Sequence, residues 1–347
     1  MKAYESILGN AGRSDPQPPD SGGLCTPDEL LKKVNVALEA VTGQRQPQSL
    51  YEPVRYVLSL GGKRIRPVLM MLAYNMFREA PETIIKQAVG IETYHNFTLL
   101  HDDLMDRADM RRGHATVHRK WNENTAILSG DTMLLLAFHY MQQCDERHQG
   151  PVMTLFTETA MLIDEGQQLD IDFETRLDVT EQEYIEMIRL KTSVLLACAL
   201  KTGAVLADAS PRDCDLLYSF GEKIGLAFQL QDDLLDVYGD PAVFGKAIGG
   251  DITSNKKTYM LINALNRATE AQHRELTGWI EAKQFDREEK VAAVTRLYDA
   301  IGIRALCEQK IEQYFQQAGE LLQQVSIDDN RKEQLRQYTA KMVNRKY

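Results

Sequence analysis

Apolar residues recur along this chain at the spacing of a helix, not in the alternation of a strand: Leu30, Leu31, Val34, Leu38 and Val41 fall on one stripe. Helix punctuation agrees. Thr26-Pro27-Asp28-Glu29 and Thr180-Glu181-Gln182-Glu183 each set a threonine three residues ahead of a glutamate, the capping-box pattern, and Ser210-Pro211 marks another start. Beyond Pro67 the prolines are Pro81, Pro151, Pro211 and Pro241, and the stretches between them are rich in helix formers. Runs of β type are hard to find, and neither an internal repeat nor a Pro/Gly/Ser linker divides the chain. The pattern predicts one all-α domain over residues 26–347. Residues 1–25 precede it as a tail, because the Pro- and Gly-rich stretch 10–23 has too little apolar surface to offset its ordering entropy and is expected to be disordered.

Composition narrows the function classes. With 44% hydrophobic residues in 347, the chain has ample material for a core, and its net charge of −10 argues against nucleic acid or anionic membrane as a partner. A phosphate ligand would have to be held by local basic clusters. No run approaches the roughly 18–20 apolar residues of a membrane span, so no stable membrane anchor is expected. The amino terminus lacks the apolar core of a secretory signal, and Glu5, Asp15 and Asp20 argue against a transit peptide. Cys25, Cys144, Cys198, Cys214 and Cys307 are scattered without close pairs, which fits neither a disulfide framework nor a thiolate metal site; a reducing, cytoplasmic location is the expectation.

The first candidate chemistry is acidic. In 95-HNFTLLHDDLMDRAD-109, Asp102, Asp103 and Asp106 fall within roughly a 100° arc of a helix, so three carboxylates share a face. Their repulsion has to be relieved by water or by a cation. Mg²⁺, which takes one or two carboxylates together with phosphate oxygens and water, suits the spacing. One such motif in an acidic protein is as readily a solvated helix face. The motif occurs twice, however: 228-FQLQDDLLDVYGD-240 repeats it at Asp232, Asp233 and Asp236. The apolar residues around both copies, Leu99, Leu100, Leu104, Phe228, Leu230, Leu234, Leu235 and Val237, pack these helices into a core and set the acids at the lip of a cavity. A glycosidase-like acid–base pair needs two differently tuned carboxyls, not two matched triplets.

The second is basic. 61-GGKRIRP-67 offers Lys63, Arg64 and Arg66 directly after two glycines, which let backbone approach a ligand while arginine matches phosphate oxygens. Arg111 and Arg112 follow the first acidic motif by one to two turns. Lys191-Thr192, Lys246 and 250-GDITSNKK-257, with Lys256 and Lys257, complete the set, the last lying in a glycine-rich stretch suited to closing over an anion. Each of these alone is equally well an exposed turn or a surface ion pair.

Taken in order, GGKRIRP, HDDLMD, RRG, Gly130-Asp131, Lys191-Thr192, FQLQDDLLD and the late lysines resemble the trans-isoprenyl diphosphate synthase family over residues 50–260. The resemblance implies a single large helical bundle around a deep central cavity, a homodimer, and Mg²⁺, three ions with substrate bound. It implies that both Asp triplets are catalytic, with Asp102, Asp103, Asp106, Asp232 and Asp236 as metal ligands. An allylic diphosphate would be met by Arg111, Lys191, Thr192, Gln229, Lys246 and either Lys256 or Lys257, and isopentenyl diphosphate by Lys63, Arg66, His95 and Arg112. The reaction implied is chain elongation to a linear C15–C20 diphosphate. Phe97 lies five residues before Asp102, about 7.5 Å along a helix, where its ring can floor the tunnel. The small Thr98 beside it, and the lack of a two-residue insertion in the first motif, tilt the product to C20. A terpene cyclase has no second diphosphate for Lys63, Arg66 and Arg112 to bind, and a non-catalytic helical partner subunit would be expected to have lost acids that are intact here.

Overall fold

Both predicted capping boxes form. In the computed structural model, which describes residues 24–240 and 248–343, Thr26 caps α1 (Pro27–Glu39) and Thr180 caps α8 (Glu181–Ile188), each in reciprocal bonds with its glutamate. Ser210 caps the long helix that Pro211 opens. The chain then reads α2 (Gln48–Ser59), α3 (Ile65–Phe77), a 3₁₀ turn (Pro81–Ile84), α4 (Ile85–Met105), α5 (Val117–Lys120), α6 (Glu123–Met141) and α7 (Glu146–Glu174). After α8 a π-helical turn (Arg189–Ser193) leads into α9 (Val194–Leu206) and α10 (Pro211–Tyr238). The C-terminal part comprises α11 (Gly250–Thr253), α12 (Tyr259–Arg267), α13 (Glu270–Glu281), α14 (Arg287–Ile301), α15 (Ile303–Gln323) and α16 (Asp329–Val343). The fold is all-α, and among the described residues no helix is long and apolar enough to cross a membrane. The stretch 10–23 and Lys246 lie outside the described residues.

Burial explains the arrangement. α3 and α9 are buried on nearly every face, as an apolar run without a polar stripe demands, and they pack on each other at the centre. α4 packs on α6, and α10 on α9 and α15. Leu30, Val34, Leu38 and Val41 of the first stripe are all in the core. Two apolar clusters result, and α10 runs through both: Leu217, Phe220 and Ile224 belong to the first, Leu230, Leu234 and Val237 to the second. The second acidic motif therefore sits on a helix anchored at both ends, whereas the first lies in the last turn of α4.

One element departs from the helical expectation. The chain does not carry Arg111 and Arg112 onward from α4 by helical turns. It stops at Met105 and folds back as a two-stranded hairpin, Met110–Arg111 against His114–Ala115, with Met110 opposite Ala115. The hairpin turn residues Arg112 (φ 51°) and Gly113 (φ 77°) are both left-handed, the requirement of a type I′ turn. The arginines are thereby returned toward the acids they follow.

Candidate active site

The end of α4, the glycine turn before α3, the hairpin, the π turn and α10 enclose a cavity of about 1040 Å³. Its lining is divided by chemistry. Asp102, Asp103 and Asp232 line it as acids, and Lys63, Arg66, Arg111 and Arg112 line it as cations together with His95. Phe97, Thr98, Leu99, Ile163, Leu195 and Phe228 supply a largely apolar interior, and Lys191, Thr192 and Gln229 line the same space. Residues from sites far apart in sequence are thus gathered around one volume. Asp106, Asp233, Asp236 and Lys256 do not line it, although Lys256 is electrostatically tied to both acidic helices.

The first triplet grades from buried to open. Asp102 is partly buried; burial raises its pKa, Asp106 adds to the rise, and Lys191 pulls it back. Asp103 is buried and pushed up by burial, against the opposing pull of Arg111, whose guanidinium grips both carboxylate oxygens at 2.8 Å. Asp106 caps the helix in the open.

The second triplet is divided by its partners, and the expectation that all three acids present one face to a ligand does not describe it. Asp232 faces the cavity. Asp233 is 2% exposed and turned into the protein, where Tyr184 Oη and Gln229 Nε2 donate to it. Burial pushes its carboxyl up to about 6 even with Lys256 and those donors pulling down. Asp236 accepts the backbone N–H of Asp251 at 2.9 Å and so fixes the start of α11.

The basic residues also sort themselves. Arg64, offered by its motif as a cation for phosphate, is instead 4% exposed, in a left-handed conformation (φ 48°), and bonded to Glu92 at 2.9 Å, Asn35 and the Leu58 carbonyl. It is a strut for the turn. Arg66 lines the cavity with its Nε buried and unpartnered, and burial lowers its pKa to about 10. Arg112 Nη1 donates to the Gly61 carbonyl, and Gly62 beside that guanidinium has φ 136°, a conformation that side chains rarely adopt, which is why glycine stands there. His95 is held well below the ordinary imidazole range by burial and by Arg66, Arg112, Arg111 and Arg64, so it is neutral near pH 7.

Lys191 lies on the π turn, a helical defect common at functional sites, and donates to Asp170 at 2.6 Å. Thr192 donates to Gln229 at 3.0 Å. Burial disfavours the Lys256 ammonium, but Asp251, Asp170, Asp233 and Asp106 outweigh it and raise its pKa, whereas Lys257 points away and donates to the Glu174 carbonyl at 2.9 Å. Asp170, Tyr184 and Asp251 escape the sequence reading. Asp170 is one of several acids in 164-DEGQQLDIDFE-174, Tyr184 belongs to no motif, and Asp251 stands beside lysines that carry the pattern there.

Among the described residues no group of three His, Cys, Asp or Glu side chains is close enough to hold a metal alone. The donors are hard carboxylate oxygens spread over two helices. That fits Mg²⁺, which completes its shell with water and phosphate oxygens.

Comparison with known proteins gives this geometry a relation. The polyprenyl synthetase family model matches residues 47–298. The geranylgeranyl diphosphate synthase of Methanosarcina mazei is 42% identical over 248 residues, 69% of this chain and 76% of that protein. A crystal structure of a geranylgeranyl pyrophosphate synthase superposes with a TM-score of 0.89 at 40% identity, over 93% of this chain and all (100%) of the other. The enzyme of that name from Corynebacterium glutamicum, solved in complex with isoprenyl diphosphate and magnesium, gives a TM-score of 0.81 at 29% identity, covering 92% of this chain and 98% of that one. This chain belongs to the polyprenyl synthetase family.

Proposed function

We propose that the protein is a short-chain trans-prenyltransferase that condenses isopentenyl diphosphate with an allylic diphosphate to give a linear diphosphate, C20 in preference to C15. The observation that carries this reading is the single cavity lined by carboxylates from two helices, by a set of cations and by apolar side chains. Two diphosphates and a growing hydrocarbon need these three environments together.

In this reading Asp102, Asp103, Asp106, Asp232 and Asp236 hold Mg²⁺ with the allylic diphosphate, three ions in all, while Asp233 braces the motif through Tyr184 and Gln229. Bound Mg²⁺ supplies charge neutralisation to the departing diphosphate. Arg111, Lys191, Thr192, Gln229 and Lys256 orient that leaving group, and the two lysines stabilise the negative charge that grows as the allylic C–O bond breaks. Lys246 belongs to the same set by sequence. Lys63, Arg66, His95 and Arg112 fix the other diphosphate, so that the isopentenyl double bond meets the allylic carbon as a C–C bond forms and a proton is lost to the released diphosphate. The apolar interior keeps water from the cation.

Product length follows from the cavity floor. Phe97 lines the cavity and is backed by Tyr94 at 5.5 Å and His101 at 4.9 Å between ring centroids, with Phe156 behind Tyr94. An aromatic wall of that depth resists a lengthening chain, and the small Thr98 leaves room beside it. A homodimer suits α6, where Ile127, Leu128 and Leu135 are 47–70% exposed. The decisive experiment supplies labelled isopentenyl diphosphate with C5, C10 and C15 primers and Mg²⁺, with and without chelator, for wild type and Phe97→Ala. Chelator-sensitive elongation ending at C20, with longer products from Phe97→Ala, is expected. No incorporation from any primer would overturn the assignment.

A further inference from the structure

Lys256 lies in a loop, and a loop lysine drawn among four carboxylates needs something to set its direction. Lys290, on α14, is only 1% exposed, and its ammonium bonds an amide: Nζ donates to Asn255 Oδ1 at 2.7 Å and stands 4.1 Å from the centroid of the Phe285 ring. A cation in that setting is expensive to bury, so a surface salt link is not what the position supplies.

Its partner is the residue immediately before Lys256. Asn255 is left-handed (φ 55°), a conformation that asparagine tolerates better than most side chains, and both ends of its amide are engaged: Oδ1 by Lys290, and Nδ2 by the Ile280 carbonyl at 3.0 Å. From that clamped residue the chain turns sharply. Lys256 N donates to the Asp251 carbonyl and Thr258 N to the Lys256 carbonyl, both at 2.9 Å. The next two residues then part company: Lys256 lines a small pocket with Asp251, Asn255 and Lys290, where the charges of Asp251, Asp170 and Asp233 act on it, and Lys257 Nζ reaches the Glu174 carbonyl at the end of α7.

We infer that Lys290 and Asn255 act as a positioning pair, which fixes the turn that aims Lys256 at the allylic diphosphate. Neither side chain touches substrate. The inference rests on the assignment of Lys256 to that diphosphate made above.

The test is steady-state kinetics of the full-length protein with Mg²⁺, varying the allylic diphosphate and isopentenyl diphosphate separately. The variants are Lys290→Met, which keeps the aliphatic stem, and Asn255→Gly, which keeps access to the left-handed turn but removes the anchor. Each is expected to raise KM for the allylic diphosphate about tenfold and leave KM for isopentenyl diphosphate unchanged, and the double variant should be no worse than either single one. A purely structural stitch would lower the active fraction, and so kcat, without moving either KM; that result, or equal changes in both KM values, overturns the pair. Wild type that elongates no primer overturns the prenyltransferase reading and this inference together. Wild type that elongates while both variants keep its KM values overturns this inference alone.

Discussion

The two acidic motifs carry the same string of residue types and occupy different physical worlds. The first ends a helix: Asp106 is its exposed cap, Asp103 is tied to an arginine from a hairpin, and Asp102 borders the cavity. The second is embedded in a helix held by two apolar clusters, with Asp232 at the cavity, Asp233 turned into the protein under Tyr184, and Asp236 bonded to the backbone of α11. Matching spacing therefore fixes which face an acid starts on, and the neighbours decide whether it serves ligand or scaffold. The first motif grades from a buried acid to an exposed one at the helix terminus, and the second is enclosed by helix packing along its length.

The largest expected effect comes where the two motifs are alike. Asp102→Ala and Asp232→Ala each remove a cavity-facing carboxylate, and each should lower kcat by about a hundredfold or more while leaving thermal stability nearly unchanged. Burial already disfavours the charge at Asp102, so its loss costs the apo protein little. Turnover and melting temperature measured on the same preparations check this. If one substitution is silent while the other abolishes turnover, the motifs are not equivalent even at their cavity-facing acids.

How much of this was legible beforehand follows from where the information lies. Helices, caps and the two triplets are local patterns, and the capping boxes at Thr26 and Thr180 form as spaced. The hairpin is set by Arg112-Gly113, a turn short enough to be passed over within a helical reading. The division of labour within GGKRIRP was not legible. Arg64 and Arg66 are two residues apart, and what turns Arg64 inward is Glu92, 28 residues away. Asp233 is likewise assigned by a tyrosine 49 positions earlier, and Lys191 is met by Asp170, 21 positions earlier. Such partners become visible only once helices are packed.

A second pair of substitutions sharpens the contrast where the motifs differ. Tyr184→Phe deprives the buried Asp233 of a donor and should cost about 1–3 kcal/mol of stability. Arg111→Leu leaves the buried Asp103 carboxylate, 7% exposed, without the guanidinium that grips both its oxygens, and should cost at least as much, about 3 kcal/mol. Chemical denaturation of the two variants measures both. A clearly smaller cost for Arg111→Leu would mean that water entering from the cavity hydrates Asp103 once the arginine is gone.

The last effect is a dependence on pH, read at Asp233 of the second motif. Burial raises the folded-state pKa of Asp233 from 3.8 to about 6, so the native protein holds this proton more tightly than the unfolded chain does. The resulting stabilisation is fully present below the unfolded value and is lost as pH rises through about 6. At higher pH the native state carries a buried carboxylate that the unfolded chain would hydrate. Asp233→Asn carries no such charge, so its melting temperature should gain on that of wild type between about pH 5 and about pH 7.5 in chelator-treated protein. A difference that does not change with pH would mean that the Tyr184 and Gln229 bonds, together with Lys256, keep Asp233 ionised throughout. The contrast between the motifs would then reduce to geometry.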